Sequence, residues 1–424
     1  MPVALDDRDR ALLAGDAGSG TAFAMRLILL AAEGLGADRL VPIVGAHVDS
    51  CLYHGQATLD FVHRLAEGGT RVAVPTTLNV GAVDLLHPEL WRGDSTAAAR
   101  GRELMAAYRD LGCRPTYTCA PYQLPFARPT VGEQVAWAES NAIVFCNSVL
   151  GARTERYGDF TDIAAAVVGR VPHAGLHTDA ARRATLVLRL ADDVPAALRT
   201  ADVLYPVLGM VLGRRAGSAV AALVGLPGGV SEDRLKALGA AAASSGAVAM
   251  FHAIGSTPEA PTLEAALGGQ APDAMEEITL GELRAARDAL TTGEGGPLGA
   301  VSLGTPHASL DELRRIADAM DGRRPAPGVE LLVSTGRDVL AEATAAGIEA
   351  RLRVAGVELL VDTCSYLSPV LRPAAGIVMT DSAKWAAYAP GNIGREVVFA
   401  SRADCIASAV AGRVMVDPGA WGGA

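Results

Sequence analysis

The chain has 424 residues and a formal net charge of −10, and half of its residues are hydrophobic. That length exceeds the size at which one core usually keeps growing, so we expect more than one packed lobe. The acidic balance and the lack of a concentrated basic patch exclude a typical nucleic-acid-binding surface.

The amino terminus carries none of the features of a secretory signal. Residues 1–10 are acidic, without the basic start and apolar run of a signal peptide. Apolar stretches elsewhere are broken by glycine and proline and are too short to span a bilayer. The six cysteines are scattered, which disfavours disulfides in a chain of this kind. We therefore expect a cytoplasmic protein with neither a membrane segment nor a nucleic-acid partner.

Short β-branched runs alternate with helical patterns along the chain. The predicted strands are, in order, 40–45, 71–75, 142–145, 246–251, 299–303, 328–333, 356–361 and 376–379. Helices are predicted at 232–243, from a capping box at Ser309 to a stop at Gly322, and at 337–346. This alternation predicts a multi-lobed, three-layer α/β/α fold with mainly parallel sheets. Residues 190–300, rich in Ala, Gly and Leu, form a possible internal lobe that serves as scaffold.

Polar residues follow four of the predicted strands. They form the clusters 146–148, 305–307, 362–364 and 380–384. Ligands in open α/β sheets bind just beyond the carboxyl ends of the strands. The pattern therefore predicts that the four clusters converge on one pocket.

Two cysteines stand where a metal ligand is plausible. Cys119 lies in a proline-flanked turn, and Cys364 follows a predicted strand beside Asp362. Thiolates are soft, charged ligands that suit iron, although a buried packing thiol is the commoner fate of a free cysteine. The spacing alone does not decide between these roles, and Cys146 is open to both.

Several polar side chains have a functional and an ordinary interpretation. Glu139 can orient or deprotonate a substrate, or it can be a solvated residue at the end of an element. Arg153 can bind a phosphate or a carboxylate, the latter with two hydrogen bonds. His307 can serve the site, but a capping or core histidine is the favoured interpretation. The chain has only two lysines, Lys236 and Lys384. Codon bias explains why lysine is scarce, but the scarcity makes Lys384 conspicuous.

Nine segments, in order, resemble the catalytic subunit of the aconitase X family, iron-dependent dehydratases related to aconitase. They are AHVDSCLYHG (46–55), VPTTLN (74–79), TCAPY (118–122), WAESNA (137–142), NSVLGART (147–154), GTPH (304–307), DTC (362–364), TDSAKWAAYAPG (380–391) and GRV (412–414). The resemblance spans nearly the whole chain. It implies an aconitase-like catalytic core and a single catalytic module over 1–424.

The resemblance also implies a set of site residues. Cys119 and Cys364 become iron ligands, helped by Cys146, by His307 or by solvent. Lys384, Glu139 and Ser140 become the catalytic residues. The substrate-binding set implied by the same segments, together with the arginine and histidine considered above, is Val48, Asp49, Ser50, Asn79, Arg153 and His307.

One departure from the family pattern bears on the cofactor and the substrate. The archaeal branch, which dehydrates mevalonate 5-phosphate on a four-iron cluster, has a cysteine where this chain has Thr305. The resemblance therefore favours a [2Fe-2S] cluster over a [4Fe-4S] cluster, with mononuclear iron as a further option. It also favours the bacterial activity, dehydration of cis-3-hydroxy-L-proline to Δ1-pyrroline-2-carboxylate. The alternatives are mevalonate 5-phosphate dehydration and a non-catalytic ligand-binding protein of the same fold.

The resemblance finally implies a partner. Enzymes related to aconitase close a mobile swivelling domain over the iron, but only about thirty residues follow the late motif here, below the ~50 of most domains. We therefore expect this chain to be a large subunit that binds a separate, small swivelling subunit.

Overall fold

The structure is a computed structural model that describes residues 3–293, 295–372, 376–417 and 419–422, so the predicted module 1–424 extends slightly beyond the described residues. The chain forms two compact units. Unit 1 comprises Met1–Val83 and Asp94–Arg183, and unit 2 comprises Asp84–Gly93 and Ala184–Ala424.

Unit 1 combines helices with two small sheets. Its helices are α1 (Asp7–Ala14), α2 (Ser19–Gly34), α3 (Gln56–Ala66), α4 (Ser95–Asp110), α5 (Ser140–Phe145) and α6 (Thr161–Val168). Its strands are β1 (Leu40–Pro42), β2 (Ala46–Val48), β3 (Thr76–Leu78), β4 (Ala136–Trp137) and β5 (Arg170–Pro172). A parallel sheet has the order β3-β2-β4, and β1 pairs with β5 in antiparallel fashion. Seven of the eight residues of α6 are buried, so this helix is part of the core.

Unit 2 contains two larger parallel sheets. Its strands are β6 (Leu186–Leu190), β7 (Ala221–Val224), β8 (Phe251–Ala253), β9 (Ala274–Ile278), β10 (Leu298–Ala308), β11 (Glu330–Thr335), β12 (Glu358–Leu360), β13 (Ile377–Thr380) and β14 (Val397–Phe399). Its helices are α7 (Ala196–Arg199), α8 (Leu204–Ala216), α9 (Glu232–Ser245), α10 (Leu263–Ala266), α11 (Leu280–Asp288), α12 (Leu310–Met320), α13 (Arg337–Ala345), α14 (Ile348–Val354), α15 (Ala383–Ile393) and α16 (Arg402–Ala411). The sheet orders are β8-β7-β6-β9 and β12-β11-β10-β13-β14.

Small residues let two helices of unit 2 pack at close range. A Cβ atom placed on Gly209 of α8 would lie 2.3 Å from the carbonyl oxygen of Leu238 on α9, and one on Gly213 would lie 2.5 Å from that of Ala242. Any larger side chain would therefore push the helices apart. The Ala- and Gly-rich composition of this region follows from that packing, while the predicted lobe boundary at 190–300 stays a prediction.

The α/β class with mainly parallel sheets is confirmed, and four predicted strands of unit 2 are present as β10 to β13. The predicted helices are α9, α12 and α13, and Ser309 forms the expected capping box with Glu312. The left-handed residue that ends α12 is Asp321, one position before the predicted stop at Gly322. No helix among the described residues is long and apolar enough to cross a membrane.

Three strand predictions in the first 251 residues need correction. The run 142–145 is a helix, α5, because a short apolar run has no periodicity that separates a buried helix from a buried strand. The strand predicted at 71–75 lies at Thr76–Leu78, and the one predicted at 246–251 lies at Phe251–Ala253. In both cases the paired strand begins only at the last residue of the predicted run or just after it.

Candidate active site and metal centre

Three of the four polar clusters lie at the carboxyl edge of the five-stranded sheet in unit 2. The residues 305–307 end β10, 362–364 follow β12, and 380–384 span the end of β13 and the start of α15. All neighbouring strands in this sheet are parallel, so their carboxyl ends share one edge. The fourth cluster, 146–148, was wrongly placed after a strand: it lies in unit 1, in a π-helical turn that continues α5.

His307 and Cys364 form a candidate metal-binding pair at this edge. Their candidate ligand atoms lie within 4.8 Å of each other, and both residues are buried. The His307 Nε2 lies 3.2 Å from the carbonyl oxygen of Thr363, to which it can donate a hydrogen bond. Such a contact orients a ligand imidazole. An imidazole and a thiolate are donors that suit iron, so the residues present fit an iron site.

Asp362 shapes the turn that presents Cys364. Its φ of 61° lies in the left-handed region, which redirects the chain directly after β12. Its carboxylate forms an ion pair with Arg337, with 2.6 Å between Nη2 and Oδ2, and accepts a hydrogen bond of 3.0 Å from the Leu85 amide. Burial raises the pKa of Asp362, and the Arg337 guanidinium opposes that rise. Asp362 therefore acts as an anchor for the turn.

Buried hydroxyls connect this turn to its neighbours. The Ser365 hydroxyl lies 2.7 Å from that of Ser302 on β10 and accepts a hydrogen bond of 2.9 Å from the Trp385 indole on α15. Ser382 caps α15 by accepting from the Trp385 amide at 3.1 Å. Lys384 therefore sits in the first turn of a fixed helix, with only 4% of its surface exposed. A helix N-terminus with an added ammonium group favours a substrate carboxylate.

In unit 1, Glu139 belongs to a buried network of amide and hydroxyl groups. It is the N-cap of α5, with a φ of 72°, and its carboxylate accepts from the Ala142 amide at 2.8 Å and from the Asn141 side chain. Asn141 also donates to the carbonyl oxygen of Cys119 at 2.7 Å and accepts from the Tyr122 hydroxyl at 2.7 Å. Glu139, Asn141 and the Cys119 backbone are thus positioned together.

A second network surrounds the segment after β2, where Val48 is the buried last residue of the strand. Asn79 donates from its side chain to the Asp49 carboxylate. Asp162 of α6 accepts from the Asp49 amide at 2.7 Å, from the Ser50 amide at 3.1 Å and from the Ser50 hydroxyl at 2.7 Å. Asp162 therefore fixes the backbone on which two predicted substrate-binding residues lie.

Burial gives this network unusual titration behaviour. Burial, followed by the nearby charge of Glu139, raises the pKa of Asp49 to about 7. Burial also raises the pKa of Asp162 to about 6, against the hydrogen bonds from Ser50, which lower it. Burial lowers the pKa of His47 to about 3, so its imidazole is neutral. A carboxyl group with a pKa near 7 can exchange a proton at neutral pH.

Cys146 and Arg153 lie outside the two hydrogen-bond networks described above. Cys146 belongs to an apolar cluster with Tyr122, Trp137 and Phe145, and burial raises the pKa of its thiol. That environment favours packing. Arg153 forms an ion pair with the exposed Asp179 and donates to the carbonyl oxygen of His177 at 3.3 Å.

Sequence reasoning missed three positioning groups. Asn141 stood inside the quoted segment WAESNA, which was a usable signal. The sequence carries no comparable signal for Asp162 or Ser365. Only the fold brings Asp162 to the segment 49–50 and Ser365 to the Trp385 indole.

Comparison with known protein families accounts for most of the chain. The model described as aconitase X first domain matches residues 2–180, the second-domain model matches 184–288, and the third-domain model matches 298–411. The chain belongs to the aconitase X family. The resemblance inferred from the nine segments is thereby confirmed.

Curated relatives carry two different dehydratase names. This aconitase X chain is 43% identical over 98% of its length to a cis-3-hydroxy-L-proline dehydratase of Pseudomonas aeruginosa and 41% identical over 97% to one of Hypocrea jecorina. It covers 72% and 69% of those two proteins. It is also 37% identical, over 94% of its length and 96% of the relative, to the phosphomevalonate dehydratase large subunit of Methanothermobacter thermautotrophicus.

A solved structure has the same fold. The holo-form of aconitase X from Thermococcus kodakaraensis matches this chain with a TM-score of 0.85 at 30% sequence identity. The match covers 96% of this chain and all of that one. The aconitase-like α/β core expected from the sequence is therefore confirmed.

Proposed function

We propose that this aconitase X chain is a hydro-lyase that removes water from cis-3-hydroxy-L-proline to give Δ1-pyrroline-2-carboxylate. The observation that carries the proposal is its higher identity, over nearly its full length, to relatives named for that reaction than to the relatives named for phosphomevalonate. The presence of Thr305 at the end of β10 agrees with this choice.

The reaction breaks two bonds on neighbouring carbons. A base accepts the proton from Cα, its electron pair forms the Cα–Cβ double bond, and the hydroxyl leaves Cβ as water after receiving a proton. The enamine product then tautomerises to the cyclic imine. We assign proton transfer and orientation to Glu139 and Ser140, whose side chains lie 3.4 Å apart. Lys384 pairs with the substrate carboxylate or with the departing oxygen.

The substrate-binding set follows from the same proposal. Asp49, Ser50 and Asn79 lie in one hydrogen-bonded network after β2 and β3, where they can bind the polar groups of the substrate. We add Val48 as a wall residue and Arg153 as a carboxylate-binding residue. His307 was also expected in the substrate-binding set, but its pairing with Cys364 favours a role at the metal centre instead.

We propose iron as the cofactor, held by Cys119 and Cys364. His307 is the preferred third ligand because it pairs with Cys364, whereas the apolar surroundings of Cys146 favour packing. A [2Fe-2S] cluster is preferred over a [4Fe-4S] cluster, and mononuclear iron is the further option. When bound, iron would supply Lewis acidity toward the departing hydroxyl.

We propose a small swivelling subunit as partner and the cytoplasm as location. Support for the partner comes from the relatives named large subunits, since this chain covers 96% of the Methanothermobacter protein. The longer cis-3-hydroxy-L-proline dehydratases contain sequence beyond the part that this chain covers.

We expect the isolated chain to bind iron but to turn over substrate slowly, and we expect co-expression with the small subunit to restore activity. Full activity of the chain alone would contradict the proposed partner.

A parallel assay of two substrates tests the activity. Protein purified under argon and reconstituted with iron, together with the small subunit, is given cis-3-hydroxy-L-proline or mevalonate 5-phosphate, and products are followed by NMR. We expect the cyclic imine from the first substrate and no product from the second. Turnover of the phosphate ester alone would overturn the choice. Protein that binds no iron and turns over neither compound would instead indicate a non-catalytic ligand-binding protein.

A further inference from the structure

The two lysines of this chain have a distribution that codon bias does not explain. Among 37 Lys and Arg residues only Lys236 and Lys384 are lysines, and both are buried, with 3% and 4% of their surface exposed. A codon bias sets how many lysines a chain has, but not where they lie. Lys384 belongs to the proposed active site, which leaves Lys236 to be explained.

The Lys236 ammonium has three hydrogen-bond acceptors within unit 2. It lies 3.0 Å from the Asp233 carboxylate, forms an ion pair with Glu312, and lies 3.5 Å from the main-chain carbonyl oxygen of His307. An ammonium group has three N–H donors, so each of its protons has one acceptor. Burial acts to lower the pKa of Lys236, but the charges of Glu312 and Asp233 raise it above its usual value, so the three protons are present at neutral pH.

This arrangement suits a lysine better than an arginine. Arginine presents its N–H groups in a flat fork on a larger head, which suits acceptors spread around the plane of that fork but not three acceptors around a single point. Arg402 shows the difference from the other side of Glu312. Arg402 donates to the Glu312 carboxylate at 2.8 Å and to the Asp381 carboxylate at 2.8 Å, and its side chain is 24% exposed.

We propose that Lys236 is a positioning residue for the iron site, a role that depends on the iron-dependent function proposed above. The residue contacts the peptide group of a candidate ligand rather than its imidazole. Holding the His307 carbonyl fixes the plane of that peptide at the end of β10, and with it the direction of the His307 side chain toward Cys364. Loss of a group that orients a metal ligand typically lowers metal affinity ten- to one-hundred-fold.

Two substitutions and a matched control test this role. Lys236→Met keeps the aliphatic stem and removes the donors, and Lys236→Arg keeps the charge but changes the donor geometry. The control, Arg215→Met, also removes a cation that pairs with two carboxylates of unit 2, those of Glu276 and Glu282. Each protein is reconstituted with iron under argon and titrated with a chelator well below its melting temperature. The iron absorbance and the folded fraction are both recorded.

We expect both Lys236 variants to release iron at chelator concentrations at least about ten-fold lower than the wild type, and Arg215→Met to match the wild type. A folded Lys236→Met protein with wild-type retention of iron would show that Lys236 serves stability alone. If Lys236→Met does not fold, wild-type retention by Lys236→Arg overturns the proposal in the same way. A wild-type chain that binds no iron is a different result, because it removes the proposed function and this inference together.

Discussion

The two units position their candidate groups by different means. In unit 2, His307 lies at the end of a strand, and Cys364 and Lys384 follow strands of the same parallel sheet. The register of that sheet therefore places them. In unit 1, Asp49 and Glu139 follow strands of only two or three residues, and hydrogen bonds from side chain to backbone place them. The candidate groups of unit 1 thus depend on individual polar side chains. We expect single isosteric substitutions to disturb them more than the candidate groups of unit 2.

Two buried carboxylates, one from each unit, show a matching difference in electrostatics. Burial acts to raise the pKa of Glu312 in unit 2, but Lys236 and Arg402 lower it to about 2. Asp162 in unit 1 accepts hydrogen bonds from amides and a hydroxyl instead, and its pKa is raised to about 6. Cations therefore compensate the buried Glu312, whereas the buried Asp162 remains able to titrate near neutral pH.

The largest expected effect is on the proposed iron ligands. Cys119→Ser and Cys364→Ser should each abolish bound iron and activity without unfolding the protein, because serine removes the soft thiolate but keeps the volume. Iron content and circular dichroism measure the two properties. Cys113→Ser is the control, since burial raises the pKa of that thiol and it packs as a small hydrophobe. Full activity in either ligand variant would remove that residue from the metal site.

Lys384→Ala should lower turnover by roughly 10³-fold while iron content stays at the wild-type level. The reason is that the ammonium group acts on substrate charge rather than on the metal, and groups of this kind contribute roughly 10²–10⁴-fold. Steady-state kinetics on iron-loaded protein provide the measurement. An unchanged rate would take Lys384 out of the active site and leave unit 2 with a metal-binding role only.

Glu139→Gln tests whether unit 1 depends on single polar groups. Glutamine keeps the size of the side chain but cannot accept a proton as a carboxylate does, so we expect a loss of about 10²-fold in turnover. Its amide can still accept from the Ala142 amide, so α5 should remain capped. Equal activity of the wild type and Glu139→Gln between pH 6 and 9 would show that Glu139 only caps α5.

The smallest expected effect concerns stability and pH. The pKa of Asp49 rises from an ordinary value of 3.8 to about 7 in the folded chain, so the unfolded chain loses this proton first as the pH increases. The contribution of Asp49 to the free energy of unfolding is thus present below about pH 4 and lost as the pH approaches 7. Denaturant titrations between pH 4 and 8 should show a shallower decline for Asp49→Asn than for the wild type. Identical slopes would mean that Asp49 is ionised in the folded protein throughout.

Much of unit 2 could be predicted from local sequence because its signals agree with one another. The buried runs that became β10 to β13 are bounded by glycine, and Ser309 and Glu312 supply both halves of a capping box. The polar residues at the strand ends then follow from the general placement of ligands in parallel sheets. The motif resemblance added the roles of Cys364 and Lys384, which spacing alone did not distinguish from packing.

The elements of unit 1, and the contacts that support the candidate site residues, could be assigned only from the tertiary structure. The sequence by itself determined the α/β class, the family and the segments that carry the candidate site, since these reside in composition, periodicity and ordered motifs. It did not determine that 142–145 is a helix, because an apolar run of four residues suits either structure. It also did not assign Asp162 to the Ser50 backbone, 112 residues away, or Lys236 to the His307 carbonyl, 71 residues away. Contacts of that separation arise only when the chain folds, since they depend on which buried donors are left facing which buried acceptors.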